Sequence, residues 1–245
     1  MITAFFHTFF YNPIYNALVT FVAVVPGSDV GIAIILLTIG IRIILLPFSL
    51  SAARTQRAMK DLQPKLKELK EKHKGNREQE AIETLALYKE ANVRPFASIL
   101  ITFIQIPILL ALYWVFIQES FPAIDMAKLY ALTPIPDTFS LAFLGLIPVA
   151  EKSLLLALLA GATQFILADM MIKGTMKPTE DAKAHDFQKI MGLQLKYVFP
   201  FLIGAISYST SAAIALYFIA TNLAGSAQEW HMRRILEKEA LPQSA

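Results

Sequence analysis

From Phe96 to Ile117 the chain runs 22 residues without a charge. A helix rises about 1.5 Å per residue, so this stretch covers the ~30 Å hydrocarbon core of a bilayer. Val30–Leu50 is a second such run, 21 residues with one charge, Arg42. Ser153–Ile172 is a third, with Asp169 near one end. From Tyr197 to Ala227 the chain is apolar again, interrupted by Gly204 and by Ser207-Tyr208-Ser209-Thr210-Ser211. That last region reads as two helices, the first reaching back towards Ile190; one long kinked helix is the alternative. Composition agrees with a membrane solvent. Hydrophobic residues make up 56% of the chain and charged residues 17%, against about 25% charged in a soluble domain. A soluble globule and a disordered chain are both excluded. The expected fold class is an all-α integral membrane protein with five transmembrane helices.

Lys and Arg set the orientation. Residues 1–29 hold none, 54–95 hold eleven, 119–152 hold two, 173–196 hold five, and the tail beyond Gln228 holds three. Positive charge collects on the cytoplasmic side. The alternation therefore places the N-terminus outside and the C-terminus inside, which requires an odd number of spans. The expected segments are 1–29, an outer interfacial helix; 30–53, the first span; and 54–95, a cytoplasmic helical hairpin. Next come 96–118, the second span; 119–152, an outer loop; 153–173, the third span; and 174–194, a cytoplasmic loop. Residues 195–208 and 209–229 are the last two spans, and 230–245 a cytoplasmic tail.

Residues 1–26 lack the positive start of a signal peptide. Asn12-Pro13 reads as a helix start, with Asn as N-cap and Pro in the first turn, and Pro26-Gly27 as its stop. Within 54–93, Met59, Leu62, Leu66 and Leu69 recur at helical spacing. Gly75-Asn76 signals a turn, Ile82 and Leu85 give a weaker stripe on a second helix, and Pro64 is expected to bend the first helix. The charge run Lys65–Lys74 reads first as the solvated face of that hairpin, and second as a contact for anionic lipid, ribosome or targeting factors. The chain has no cysteine, which removes disulfides, iron–sulfur clusters and thiol catalysis.

Arg42 is the residue that carries chemistry. At a helix centre it costs ~2.5–3.5 kcal/mol on insertion scales, and apolar residues there return ~0.3–0.6 kcal/mol each. Val30–Leu50 holds fourteen Val, Ile, Leu and Phe residues, so the helix still inserts, but the guanidinium must find water or a partner. Asp169 is the nearest acid by type, and it is matched at i,i+4 by Lys173. A wet cavity remains. Polar residues at comparable depth are Gln105, Thr163, Gln164, Ser207 and Asn222, and such residues face the bundle interior or a cavity. Snorkelling of Arg42 over ~12 Å to the headgroups, and plain interhelical hydrogen bonding by Gln105, Gln164 and Asn222, are the alternatives.

With these residues in place the chain resembles the YidC/Oxa/Alb family of membrane protein insertases. Gly31-Ile-Ala-Ile-Ile-Leu-Leu-Thr38 with Arg42 and Leu45-Leu46-Pro47 resembles the first core span of that family. Leu62-Gln63-Pro64-Lys65-Leu66 and Leu87-Tyr88-Lys89-Glu90 resemble its cytoplasmic hairpin, and Gln105-Ile106-Pro107-Ile108 with Ala111-Leu112-Tyr113 its second span. Leu159-Ala160-Gly161-Ala162-Thr163-Gln164-Phe165 resembles the third span, and Ala215-Leu216-Tyr217 with Asn222-Leu223 the fifth. The chain departs from the family at Ser209-Thr210-Ser211-Ala212, where a Pro-Ala-Gly type of motif is usual, and at Phe218, where Trp is usual. The resemblance implies a multi-pass protein of the bacterial plasma membrane that acts as a non-enzymatic insertase and chaperone. It implies a hydrophilic groove holding Arg42, Gln105, Thr163, Gln164, Ser207 and Asn222, beside an apolar slide of Phe165, Leu216, Tyr217 and Phe218. The implied partners are nascent membrane proteins and the bilayer, with the Sec translocon, ribosome and targeting factors as further candidates. No cofactor, no metal and no specific nucleic acid is implied.

Two other classes compete. A transporter or channel would share Arg42 and the wet polar residues, but the chain shows no inverted repeat. An intramembrane enzyme would need a base or a metal. His7, His73, His185 and His231 all lie outside the expected spans, and HExxH, GxSxG and GxxxxGK[ST] are absent.

Overall fold

A computed structural model describes residues 2–91, 93, 97–117, 124–175 and 190–240. The described chain is helical apart from connecting segments and one small β-hairpin. Three helices are long and apolar enough to cross a membrane: Val30–Met59, Leu154–Lys173 and Ile190–Ser209. A shorter apolar stretch, Gln105–Phe116, lies within α6 (Ala97–Ile117). The chain divides into two units: Met1–Ile44 with Ile106–Arg233, and Leu45–Gln105 with Arg234–Ala245.

The first unit begins with α1 (Ile2–Phe6), a π-helical turn (His7–Tyr11) and α2 (Asn12–Val24). Asn12 is itself helical (φ −61°, ψ −45°) and its N–H bonds to the His7 carbonyl. The expected N-cap is therefore inside a helix that runs back to Ile2. The reason lies at Pro13, which lacks an N–H and crowds the carbonyl four residues back. A wider π turn relieves that crowding. The same device recurs at Gln194–Val198, just before Pro200.

The N-terminal part of α3 (Val30–Asp61) buries Val30, Ala33, Ile34, Leu37 and Thr38, a stripe at i, i+3, i+4 spacing. Leu36, Ile39, Ile43 and Ile44 face outward, as apolar residues do in lipid. After Val30–Ile44 the first unit continues at Ile106 in α6, whose Ile108, Ala111, Leu112 and Val115 are buried. Trp114 meets the Phe6 ring edge-on at 4.8 Å. Beyond α6 come a 3₁₀ turn (Met126–Lys128) and a hairpin of β1 (Ala142–Phe143) and β2 (Ile147–Pro148). Then α7 (Leu154–Thr175) leads to α8 (Phe199–Ser209) and α9 (Ala212–Ala240). Gly161 of α7 and Gly204 of α8 let these two helices touch backbone to backbone, since a Cβ on Gly161 would lie 3.1 Å from the Pro200 carbonyl oxygen. Thr210, at φ −99° and ψ −106°, separates α8 from α9. Of the two sequence readings, two helices is the one observed.

The second unit takes α3 from Leu45 onward, then α4 (Gln63–Lys72) and α5 (Arg77–Glu90). Pro64 stands in the first turn of α4, where a missing N–H is harmless. It starts a helix rather than bending one. Gly75 turns the chain at φ +102°, and Asn76 caps α5 by accepting from the Gln79 N–H at 3.1 Å. His73 and Glu83 close the turn at 2.9 Å. Glu83 lies below the usual carboxylate range, first because the Gln79 side chain donates to it and then because His73 and Lys72 face it. Ile82 and Leu85, expected on the inner stripe of α5, are exposed. Glu83, Thr84, Leu87 and Tyr88 hold the partly covered positions instead.

Candidate functional site

The polar residues of the first unit converge around α3, α7 and α9. Val30, Ile34, Thr38 and Arg42 fall four apart on α3, so they share one helix face. The first three are buried and Arg42 is half-buried. The guanidinium lies beside Gly225 of α9. A Cβ there would sit 3.2 Å from Leu167 Cδ2, so glycine is what leaves room for the Leu167 side chain, and 3.8 Å from Arg42 Nη2, an ordinary van der Waals distance. Tyr217, also on α9, is 2% exposed. Among the described residues no carboxylate lies within ion-pair distance of Arg42. Asp169 is engaged elsewhere, with Lys173 at 2.6 Å and Lys196 at 2.7 Å. The Lys173 pair was legible from spacing. Lys196, 27 residues away from Asp169, had no local signal.

One turn from Gly225, Asn222 is buried and its amide donates to the Ala160 carbonyl and to Thr163 Oγ1, both at 3.2 Å. Asn222 thus ties α9 to α7. Thr163 also leans on its own helix, 2.9 Å from the Leu159 carbonyl. Gln164 is half-buried on α7. Ser207 of α8 is fully buried, and its hydroxyl has no hydrogen-bond partner among the described residues; the same holds for Ser211 and Thr221. Unpaired buried hydroxyls cost ~1–3 kcal/mol each unless water or a ligand reaches them. Ser211, Thr221 and Gly225 were not among the residues picked from sequence. A small or polar residue within an apolar run is the only signal they carry.

The described contacts place Arg42 and Leu167 near Gly225 and tie Asn222 to Thr163 one turn away. Gln105 is half-buried in α6 and belongs to the second unit. Phe165 is 37% exposed, with Tyr197 at 5.9 Å and the Lys196 ammonium 5.4 Å over its ring. Leu216, Tyr217 and Phe218 are buried. Arg233 donates to the Met170 carbonyl and pairs with Glu229 at 2.9 Å, joining the far ends of α7 and α9. Among the described residues no cluster of three His, Cys, Asp or Glu could hold a metal ion.

A model of the 60Kd inner membrane protein family matches residues 21–239. A membrane protein insertase YidC from Clostridium perfringens is 30% identical over 94% of this chain and 93% of its own length. The chain belongs to the YidC family of membrane protein insertases. The YidC of Fusobacterium nucleatum is likewise 30% identical, over 90% of this chain and 97% of its own length. In Cupriavidus pinatubonensis the matching YidC is 29% identical over 85% of this chain, which corresponds to 33% of that longer protein. Membership in the YidC family and the apolar helices together make this a multi-pass protein of the bacterial plasma membrane.

Proposed function

We propose that the protein receives the short polar N-terminal tail of a nascent membrane protein in a groove lined by Arg42, Thr163, Gln164, Ser207 and Asn222, and releases the following apolar segment into lipid. The observation that carries this reading is a half-buried arginine, midway along an apolar helix, with no carboxylate beside it among the described residues. Such a cation is tolerable where water reaches it. It then offers an attractive site for acidic residues of an incoming tail. Two unit charges about 5 Å apart at an effective dielectric near 20 attract by roughly 3 kcal/mol.

In this reading five spans run N-out and C-in, at 30–53, 96–118, 153–173, 195–208 and 209–229. The basic segments 54–95 and 174–194 lie in the cytoplasm, where ribosome, targeting factors and the Sec translocon are candidate partners. Water in the groove shortens the hydrocarbon path. A membrane potential positive outside adds ~2.3 kcal/mol per negative charge per 100 mV crossed. The substrate helix supplies the larger force, ~25 cal/mol per Å² of apolar surface leaving water. Phe165 on α7 offers exposed apolar surface for that helix, while Leu216, Tyr217 and Phe218 on α9 are buried. No chemical step is involved, so this is insertion and chaperoning rather than enzymatic catalysis.

Protease protection in proteoliposomes tests the reading. Arg42→Ala lowers insertion of a single-span substrate with an acidic tail by about tenfold, the equivalent of about 1.4 kcal/mol. Arg42→Lys keeps most of the activity, because the role is charge rather than bidentate geometry. Equal insertion by all three proteins removes the electrostatic role.

A further inference from the structure

The β-hairpin holds together two of the helices that carry the groove. Asp29 is 6% exposed and both of its carboxylate oxygens are occupied: Oδ1 accepts from the Ile32 N–H at 3.0 Å and Oδ2 from the Leu144 N–H at 2.7 Å. The first bond caps α3; the second grips the hairpin turn, where Leu144 and Gly145 both have positive φ, +52° and +72°. Backbone bonds flank this latch, from Val30 N–H to the Ser140 carbonyl at 3.1 Å and from Ser140 N–H to the Ser28 carbonyl at 3.0 Å. The Phe143 ring lies against Gly31 so closely that a Cβ there would come within 2.5 Å of it. On its other side the same segment caps α9. The Val149 carbonyl accepts from Ala213 N–H at 2.8 Å, and the Glu151 carbonyl from Ala212 N–H at 2.7 Å.

Both helices therefore start from one clasp. Arg42 is 12 residues beyond Val30 and Gly225 is 13 beyond Ala212, a rise of about 18 Å and about 20 Å. Equal rise from a shared origin delivers Arg42 and Gly225 to the same depth, and Arg42 Nη2 lies 3.8 Å from where a Cβ on Gly225 would sit. We propose that the 140–151 segment is a clasp that sets the register of α3 against α9 and seals the outer end of the groove, with Asp29 as its positioning residue. This rests on the groove reading above. Asp29 touches no substrate; it acts through the hairpin on the helices that bear Arg42 and Asn222.

The absence of native cysteine makes single-cysteine labelling direct. Thr38, one turn from Arg42 on the buried stripe and 2% exposed, is the reporter. In right-side-out vesicles, Thr38→Cys in the otherwise natural chain reacts slowly with a membrane-impermeant maleimide. Adding Asp29→Ala raises that rate at least tenfold, and Asp29→Asn, which keeps one acceptor oxygen, falls between. Gly145→Val attacks the clasp from the other side. That position has open space around it, so the lesion is purely the positive φ that valine disfavours, and it should reproduce the Asp29→Ala rate. Parental labelling rates in both lesions overturn the proposal. So does misfolding of Asp29→Ala, by size exclusion, combined with a parental rate in Gly145→Val, because Asp29 would then matter only for folding. The groove reading is scored separately, by labelling of Arg42→Cys from the cytoplasmic side in the otherwise natural chain, with the clasp intact.

Discussion

Asn16 and Arg42 are both polar side chains set into apolar helices, and the protein treats them in opposite ways. Asn16 is buried and fully bonded. Its amide donates to the Asn12 and Lys128 carbonyls at 2.8 and 2.9 Å, while its oxygen accepts from Tyr130 N–H and the Thr133 hydroxyl, each at 2.7 Å. Tyr15 nearby accepts from the Asp125 N–H at 2.9 Å. Loop 125–133 is pinned to α2 in this way, much as the hairpin is pinned to Asp29. Arg42 has neither a fourfold set of partners nor a carboxylate among the described residues, and Ser207, Ser211 and Thr221 are buried without hydrogen-bond partners there. Satisfied polar groups specify one arrangement. Unsatisfied ones are tolerable only where solvent or substrate completes them. The contrast separates a scaffold from a site using hydrogen-bond geometry alone.

If that contrast is right, substitutions should sort by side of the divide. Asn16→Ala is the most damaging. It strands the Lys128 carbonyl, the Tyr130 N–H and the Thr133 hydroxyl at ~1–3 kcal/mol for each that water cannot reach, and the purified protein should melt several degrees lower. Retention of the parental melting temperature would erase the distinction. Gly31→Leu comes next, since the Phe143 ring occupies the space a side chain needs. Overpacking of this kind costs about 1–3 kcal/mol, read as a smaller fall in melting temperature. Ser207→Ala and Thr221→Val should change stability by no more than about 0.5 kcal/mol, because no protein hydrogen bond is lost, yet both should slow insertion. A stability loss as large as that of Asn16→Ala would mean these hydroxyls belong to the scaffold.

The smallest effect is expected in the second unit. Glu83 is held below the usual carboxylate range, chiefly by the Gln79 side chain and further by His73. A carboxylate lowered on folding adds stability above its unfolded pKa and loses it as pH falls through the folded value. The turn between α4 and α5 should therefore loosen only as pH falls below the ordinary glutamate range and Glu83 takes up its proton. Faster amide exchange at residues 73–83 would report it, with little change in the first unit. Glu83→Gln should abolish that pH dependence.

The apolar helices were legible because a bilayer demands a length and a composition that local sequence displays. Arg42 was legible for the same reason, as a charge where the solvent forbids one. The Asp169–Lys173 pair followed from helical spacing. The rest depended on contacts distant in sequence. Nothing near Asp29 announces Leu144, and nothing near Asp169 announces Lys196. Pro13 and Pro64 were legible as punctuation but not as outcomes. A π turn absorbed the first, and a break at Leu62 let the second open a new helix. Two apolar residues three apart do not fix a helix face: Ile82 and Leu85 are exposed, while Glu83, which meets His73 at 2.9 Å, is partly covered.

The central claim is that water reaches Arg42 from one side of the membrane only. The most direct test is Arg42→Cys in this cysteine-free chain, treated with a membrane-impermeant maleimide in inside-out and in right-side-out vesicles. Rapid labelling from the cytoplasmic face and negligible labelling from the outer face is the predicted result. A thiol silent from both faces, or equally reactive from each, contradicts it.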